Sequence, residues 1–156
     1  MMLRPRQSLL VDRTLSALDA YGNTLAVAPT GSGKTIMLSA VAGRVLVEPD
    51  AKACILAHRT ELTGQNCAKF ERVNPGMSTS VFDANEKSWS GQATFAMVQT
   101  LSRLSHLEQM PTLDLLVIDE AHHSSSPSYR AVIDAVLARN PKAGICGLTA
   151  TPKETK

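Results

Sequence analysis

Short apolar runs, several rich in β-branched residues, alternate with segments of helical periodicity along the chain. Apolar runs of this kind are typical of strands buried on both faces, so the alternation predicts an α/β fold: a parallel sheet with helices on both faces. The predicted strands lie near Thr24–Ala28, Ala53–Ala57, Ser80–Phe82, Ala93–Val98, Leu115–Ile118 and Ile145–Thr149. The predicted helices cover Ser8–Ala20, Gly33–Val47 and Thr60–Val73, then one after Gln99 and one from about Ser126, while Pro5 is expected to bar an earlier start of the first helix.

Composition indicates one folded domain and little about partners. The chain has 156 residues, of which 44% are hydrophobic and 19% charged, and this argues against extended disorder. No apolar stretch is long enough to span a membrane and the N-terminus lacks a signal-like region, so we expect a cytoplasmic protein without a membrane partner. The three cysteines have no metal-like spacing and are expected to be buried, reduced thiols. A net charge of +2 does not by itself indicate nucleic-acid binding.

The segment APTGSGKT, Ala28 to Thr35, follows a predicted strand and opens a predicted helix. This is the setting of a phosphate-binding loop, in which glycines permit a tight turn and successive amides face phosphate oxygens. Lys34 would add a positive charge at the β and γ phosphates, and the Thr35 hydroxyl would ligate Mg²⁺. The general pattern begins with Gly where this chain has Ala28, and a glycine-rich turn with a surface lysine is the alternative interpretation. The predicted ATP-binding residues of this segment are Pro29, Thr30, Gly31, Ser32, Gly33, Lys34 and Thr35.

A second segment, LLVIDEAHH, places two carboxylates at the end of an apolar strand. Open α/β sheets bind ligands beyond the carboxyl ends of their strands, so both acids are site candidates. Asp119 would hold Mg²⁺ through its water shell, and Glu120 would orient and deprotonate the water that attacks the γ-phosphate. His122 is expected to hydrogen-bond between the acidic site and a neighbouring strand end. Alternatively the two acids only cap the next turn; a zinc site is not expected, because the HExxH spacing is absent.

Five motifs in order resemble those of superfamily 2 helicases and translocases: APTGSGKT, AHRTEL at Ala57 to Leu62, VQTL at Val98 to Leu101, DEAHH, and GLTATP at Gly147 to Pro152. The stretch from DEAHH onward is most similar to the RadD-like and type I restriction motor branch. LRPRQ at Leu3 to Gln7 resembles the adenine-reading motif of the family, in which Gln7 would bind the base. The resemblance implies a RecA-like P-loop NTPase fold that uses ATP and Mg²⁺. It also implies that residues 1–156 are the N-terminal RecA-like lobe, without the second lobe.

The same resemblance implies a set of nucleic-acid contacts. The residues that would contact the backbone of a nucleic acid, DNA more than RNA, are Arg59, Thr60, Gln99 and Thr100. Two further residues, Thr149 and Thr151, would couple the state of the nucleotide to binding of the nucleic acid. Alternatively, the first four residues have no ligand: the threonines are ordinary helix caps and Arg59 is a solvated charge. Thr149 and Thr151 would then be present only because threonine favours β-strands. Trp89 lies in a polar loop, where it would stack on a ligand, face a partner or pack locally.

The second lobe, in cis or in trans, would supply arginines to the γ-phosphate, so the lobe alone should hydrolyse ATP slowly. Two other functions stay open at this stage. One is a stand-alone module that binds nucleotide and a partner without mechanical work. The other is a small P-loop kinase, although no arginine-rich lid segment is visible.

Overall fold

A computed structural model of the protein describes residues 5–28, 32–57, 60–119 and 126–150. The strands are β1 (Asn23–Ala28), β2 (Ala53–Ala57), β3 (Thr79–Phe82), β4 (Ala93–Met97), β5 (Leu115–Asp119) and β6 (Gly144–Ala150). They form a six-stranded sheet in the order β1-β6-β5-β2-β4-β3, and every pairing is parallel. The helices are α1 (Pro5–Tyr21), α2 (Ser32–Val45), α3 (Thr60–Val73), α4 (Val98–Leu101), α5 (Leu104–Gln109) and α6 (Pro127–Arg139).

The two faces of the sheet are buried under different helices. Ile55 of β2 and Val117 of β5 pack in one apolar cluster with residues of α1, α2 and α3. The adjacent residues Leu56 and Ile118 pack in a second cluster with residues of α4, α5 and α6. Successive side chains of a strand point to opposite faces, so wholly apolar strands require cover on both. The predicted parallel sheet with helices on both faces is therefore confirmed.

Helix α3 is held on the sheet and on α2 by specific contacts. The rings of Phe70 on α3 and Phe95 on β4 are both fully buried and meet edge to face, with centroids 5.6 Å apart and planes at 77°. At the end of α3, Asn74 Nδ2 donates to the backbone oxygen of Ser39 on α2 at 2.9 Å. The predicted bounds of α3, Thr60–Val73, agree with the structure.

The start of α1 and the helix predicted after Gln99 differ from expectation. Pro5 does not bar the first helix but is its first residue, a position where the fixed φ fits and the missing N–H costs no hydrogen bond. In place of one helix after Gln99 there are two short ones, and the first begins at Val98, which ends β4 one residue early. Arg103 separates them, because its extended backbone (φ −67°, ψ 138°) interrupts the helical path.

Several other boundaries shift by one or two residues. Helix α2 begins at Ser32 and ends at Val45, which leaves Val47 outside it and 75% exposed. β1, β3, β5 and β6 each extend past the predicted bounds by one residue at one end or both. Pairing with a neighbouring strand recruits these end residues, which sequence pattern alone does not mark.

The segment between β3 and β4 is a structured loop. Asp83 Oδ1 accepts hydrogen bonds from the backbone N–H groups of Asn85 and Glu86, both at 2.9 Å. The half-buried ring of Trp89 lies 5.3 Å from that of Phe82, and the ammonium of Lys52 donates to the Trp89 carbonyl at 2.7 Å. Of the interpretations open for Trp89, local packing is the one the structure supports.

The predicted state of the cysteines agrees with the structure for two of the three. Cys54 and Cys146 are buried and Cys67 is half-buried, and all three are free thiols. Within the described ranges, no helix is both long and apolar enough to cross a membrane.

Candidate nucleotide-binding site

The sheet order brings the two predicted site segments to one edge. β6 pairs with β1 on one side and with β5 on the other, with Ala28 level with Ala150 and Asp119 level with Leu148. All three strands are parallel, so their carboxyl ends lie together, and two strand spacings separate the ends of β1 and β5 by about 10 Å. Helix α2 begins just beyond the end of β1 and contacts β5 and β6. The edge therefore carries the start of α2 and the end of β5 side by side, the place where open α/β sheets bind ligands.

Thr35, in the first turn of α2, presents a buried hydroxyl. Its Oγ1 donates to Oδ1 of Asn66 on α3 at 3.2 Å, and its backbone oxygen accepts from the Ser39 hydroxyl at 2.8 Å. Thr35 is 9% exposed. Because the O–H group donates its hydrogen bond to Asn66, the lone pairs of the hydroxyl oxygen stay available to ligate a cation.

Asp119 is the last residue of β5 and is 4% exposed. A carboxylate is costly to bury unless a cation or hydrogen-bond donors compensate it. The residue types at this edge, a hydroxyl at 35 and a carboxylate at 119, are oxygen donors of the kind Mg²⁺ prefers. By donor chemistry they fit that ion. In the described ranges as a whole, this edge included, no group of three or more His, Cys, Asp or Glu side chains is placed to hold a metal.

Much of the predicted phosphate loop lies outside the described residues. Pro29, Thr30 and Gly31 are outside them, as are Glu120 and His122. Ser32, Gly33 and Lys34 are described as backbone only, in the first turn of α2. Gln7, predicted to read the base, is half-buried near the start of α1, and α1 packs against α2 and β1. The roles of these residues stay predictions.

The residues predicted to contact nucleic acid follow β2 and β4 at the same edge. Gln99 is exposed on α4, but Thr100 is only 8% exposed, and its backbone oxygen lies 2.6 Å from Nδ1 of His106. Of this pair, Gln99 is the residue whose side chain is accessible to a ligand. Thr60 begins α3 and Thr149 lies in β6, both with the backbone alone described; Arg59 and Thr151 lie outside the described residues.

Sequence reasoning missed Asn66. It is 4% exposed, contacts Thr35 and lies one turn before Phe70 on the buried face of α3. A polar residue at helical spacing from a buried aromatic was the available signal. Its partner, 31 residues earlier in the chain, could not be identified without the fold.

Comparison with protein families and relatives identifies the family to which the chain belongs. Residues 1–154 match the family described as "Type III restriction enzyme, res subunit". Two yeast proteins named as ATP-dependent helicases are similar: IRC3 of Saccharomyces cerevisiae at 28% identity, and irc3 of Schizosaccharomyces pombe, named as mitochondrial, at 34%. Both alignments cover 96% of this chain but 23% and 26% of the relatives, so the chain spans about a quarter of their length.

Solved structures share the fold. The helicase domain of Hef from Pyrococcus furiosus has a TM-score of 0.80 and 25% sequence identity, over 97% of this chain and 33% of that one. LlaGI, a type ISP restriction-modification enzyme solved with a DNA substrate mimic, has a TM-score of 0.75 at 14% identity, over 99% of this chain and 18% of that one. The predicted RecA-like fold of this helicase class is confirmed by these likenesses.

Proposed function

The chain belongs to the family of type III restriction enzyme res subunits, and on this premise we propose that it is the ATP-binding motor lobe of a DNA helicase or translocase. The observation that carries the proposal is the shared sheet edge: the start of α2, which includes Lys34 and Thr35 of the GSGKT segment, lies beside the end of β5 at Asp119, the first residue of the DEAH segment. A phosphate cradle and a pair of acids at one edge are the parts that nucleotide hydrolysis needs.

In this proposal each segment has one task. The backbone amides of Gly31 to Thr35 and the Lys34 ammonium bind the β and γ phosphates, and Gln7 binds the base. Thr35 and Asp119 would hold Mg²⁺, which when bound neutralises charge on the phosphate oxygens. Glu120 orients a water molecule toward the γ-phosphorus and accepts its proton, and His122 ties the acidic segment to the neighbouring strand end.

Contacts to a nucleic acid would come from the neighbouring loops. Arg59, Thr60 and Gln99 hold backbone phosphates, which gives binding without sequence preference. Thr149, on β6 between β1 and β5, and Thr151, two residues further along the chain, would couple changes at the nucleotide to those contacts. The DNA substrate is proposed from the relatives: LlaGI was solved with a DNA mimic. A second RecA-like lobe supplies arginines, and without them we expect turnover to be slower by about 10³–10⁵. The cytoplasmic location stays a prediction, since one relative is named as mitochondrial.

Two variants separate binding from chemistry. Lys34→Ala should abolish binding of ATP, because the phosphates lose their main positive charge. Glu120→Gln should bind ATP as the parent does and lose turnover, because an amide cannot accept the proton of the attacking water. Binding is measured with a fluorescent ATP analogue, and turnover by phosphate release with and without single-stranded DNA.

Equal ATP affinity in Lys34→Ala and the parent would contradict the phosphate cradle. Transfer of the γ-phosphate to an added nucleoside, in place of release as phosphate, would identify a kinase and refute the motor function.

A further inference from the structure

Asn66 stands out among the buried polar side chains that the structure describes, because a partner is seen for only one end of its amide. Oδ1 accepts from the Thr35 hydroxyl at 3.2 Å, while Nδ2 is buried and forms no hydrogen bond with the described part of the chain. The residue is 4% exposed, so water cannot readily satisfy the missing bond. Buried polar groups in native structures are nearly always paired, and an exception calls for an explanation.

The contact to Thr35 gives this amide a chemical task. A hydroxyl that ligates a metal ion does so through an oxygen lone pair and keeps its proton, which then needs an acceptor. Groups that hold a metal ligand from behind fix its orientation and are important for metal affinity. Asn66 Oδ1 is such an acceptor, and it leaves the oxygen of Thr35 available for a cation.

We propose that Asn66 is a positioning residue for Mg²⁺ binding: its amide oxygen holds the Thr35 hydroxyl so that the oxygen faces the metal of a bound nucleotide. The inference rests on the proposed function, since it concerns the ion that Thr35 and Asp119 would hold. It adds a residue of α3, outside every motif noted in the sequence, to the nucleotide site.

The interface between α2 and α3 offers a matched control. Asn74, the residue that follows α3, donates from Nδ2 to the backbone oxygen of Ser39, one turn along α2 from Thr35. Each asparagine thus forms one side-chain hydrogen bond to α2. The side-chain hydrogen bond of Asn74 goes to a backbone carbonyl and not to the Thr35 hydroxyl, so it can stabilise the interface without orienting that hydroxyl oxygen.

The test measures ADP affinity with and without Mg²⁺ in the full chain. A fluorescent ADP is titrated in excess EDTA and then in saturating Mg²⁺, and the ratio of the two dissociation constants gives the Mg²⁺ effect. Asn66→Leu should reduce this ratio about tenfold, the loss typical when a group behind a metal ligand is removed, and leave the affinity in EDTA unchanged. Asn66→Asp, which keeps an acceptor and lacks the N–H donors, should retain the ratio. Asn74→Ala should also retain it, even where its melting temperature falls.

An unchanged ratio in Asn66→Leu would overturn the inference, as would an equal loss in Asn74→Ala, since both indicate a purely structural role. Should Asn66→Leu fail to fold, Asn66→Ala gives the same comparison. A parent that binds ADP equally with and without Mg²⁺ overturns the inference alone, whereas a parent that binds no nucleotide refutes the proposed function as well.

Discussion

The aromatic contact that seats α3 on the sheet yields a quantitative prediction. Phe70 and Phe95 are fully buried and meet edge to face. Phe70→Ala removes a ring from a packed site at which the surrounding backbone belongs to a sheet and cannot collapse freely. We expect a loss of about 3–5 kcal/mol in the free energy of unfolding. For a domain of this size the loss corresponds to a fall of about 6–20 °C in melting temperature.

The part of this loss in stability that comes from the geometry of the two rings can be measured separately from the buried apolar volume. Phe70→Leu and Phe95→Leu keep most of the apolar volume, so each alone should cost less than Phe70→Ala. Combined in a double-mutant cycle they should show a coupling of about 0.5–1.5 kcal/mol, the value expected of an aromatic pair beyond its buried area.

The assay is urea denaturation followed by far-ultraviolet circular dichroism, with all variants at one temperature and pH. Exposed Leu9 on α1 provides a control, since Leu9→Ala removes a side chain that is 52% exposed and should change stability by about 0.5 kcal/mol or less, the usual range for surface sites. A loss in Phe70→Ala no larger than that of the control, or a coupling of zero within error, would refute the packing described for α3.

Two further predictions concern the loop before β4 and the half-buried thiol. Gly91→Ala should destabilise the chain by about 1–3 kcal/mol in urea denaturation, because a Cβ at 91 would lie 2.5 Å from the backbone carbon of Thr79; unchanged stability would contradict this close approach. Burial, and to a lesser degree Glu71 and Glu86, raises the pKa of Cys67 from 9.0 to about 11. The thiolate is the reactive form, so at pH 8 labelling of Cys67 by a disulfide reagent should be about a hundredfold slower than that of a free thiol. The rate should rise with pH until about pH 11, and a plateau already near pH 9 would show an unperturbed thiol.

The sequence allowed much of the architecture to be predicted, for a local reason. Wholly apolar runs such as Ala53–Ala57 mark strands covered on both sides, and Thr60, a residue type that favours helix starts, marked the beginning of α3. The first residue of a helix is harder to predict than its interior. Pro5 is compatible both with a helix that starts after it and with a helix that starts at it, and packing of α1 against α2 decides between the two.

Features set by distant residues could not be predicted. The strand order follows from which crossover packs best, and no local pattern shows that β6 lies between β1 and β5. The bond between Thr35 and Asn66 joins two helices that come together only on the finished sheet. The motifs identify the acidic and the phosphate-binding segments because each of these is contiguous in the sequence. Asn66, which contacts Thr35 from another helix, could be identified only from the fold.

A crystal structure of the chain with Mg²⁺ and a non-hydrolysable ATP analogue would test the proposed nucleotide site most directly. We expect the β and γ phosphates to lie over the amides of Gly31 to Thr35. We also expect Mg²⁺ at about 2.1 Å from the Thr35 hydroxyl oxygen, with Asp119 in contact with the ion or its water shell. A nucleotide bound at another edge of the sheet, or an ion contacted by neither Thr35 nor Asp119, would contradict the proposed site.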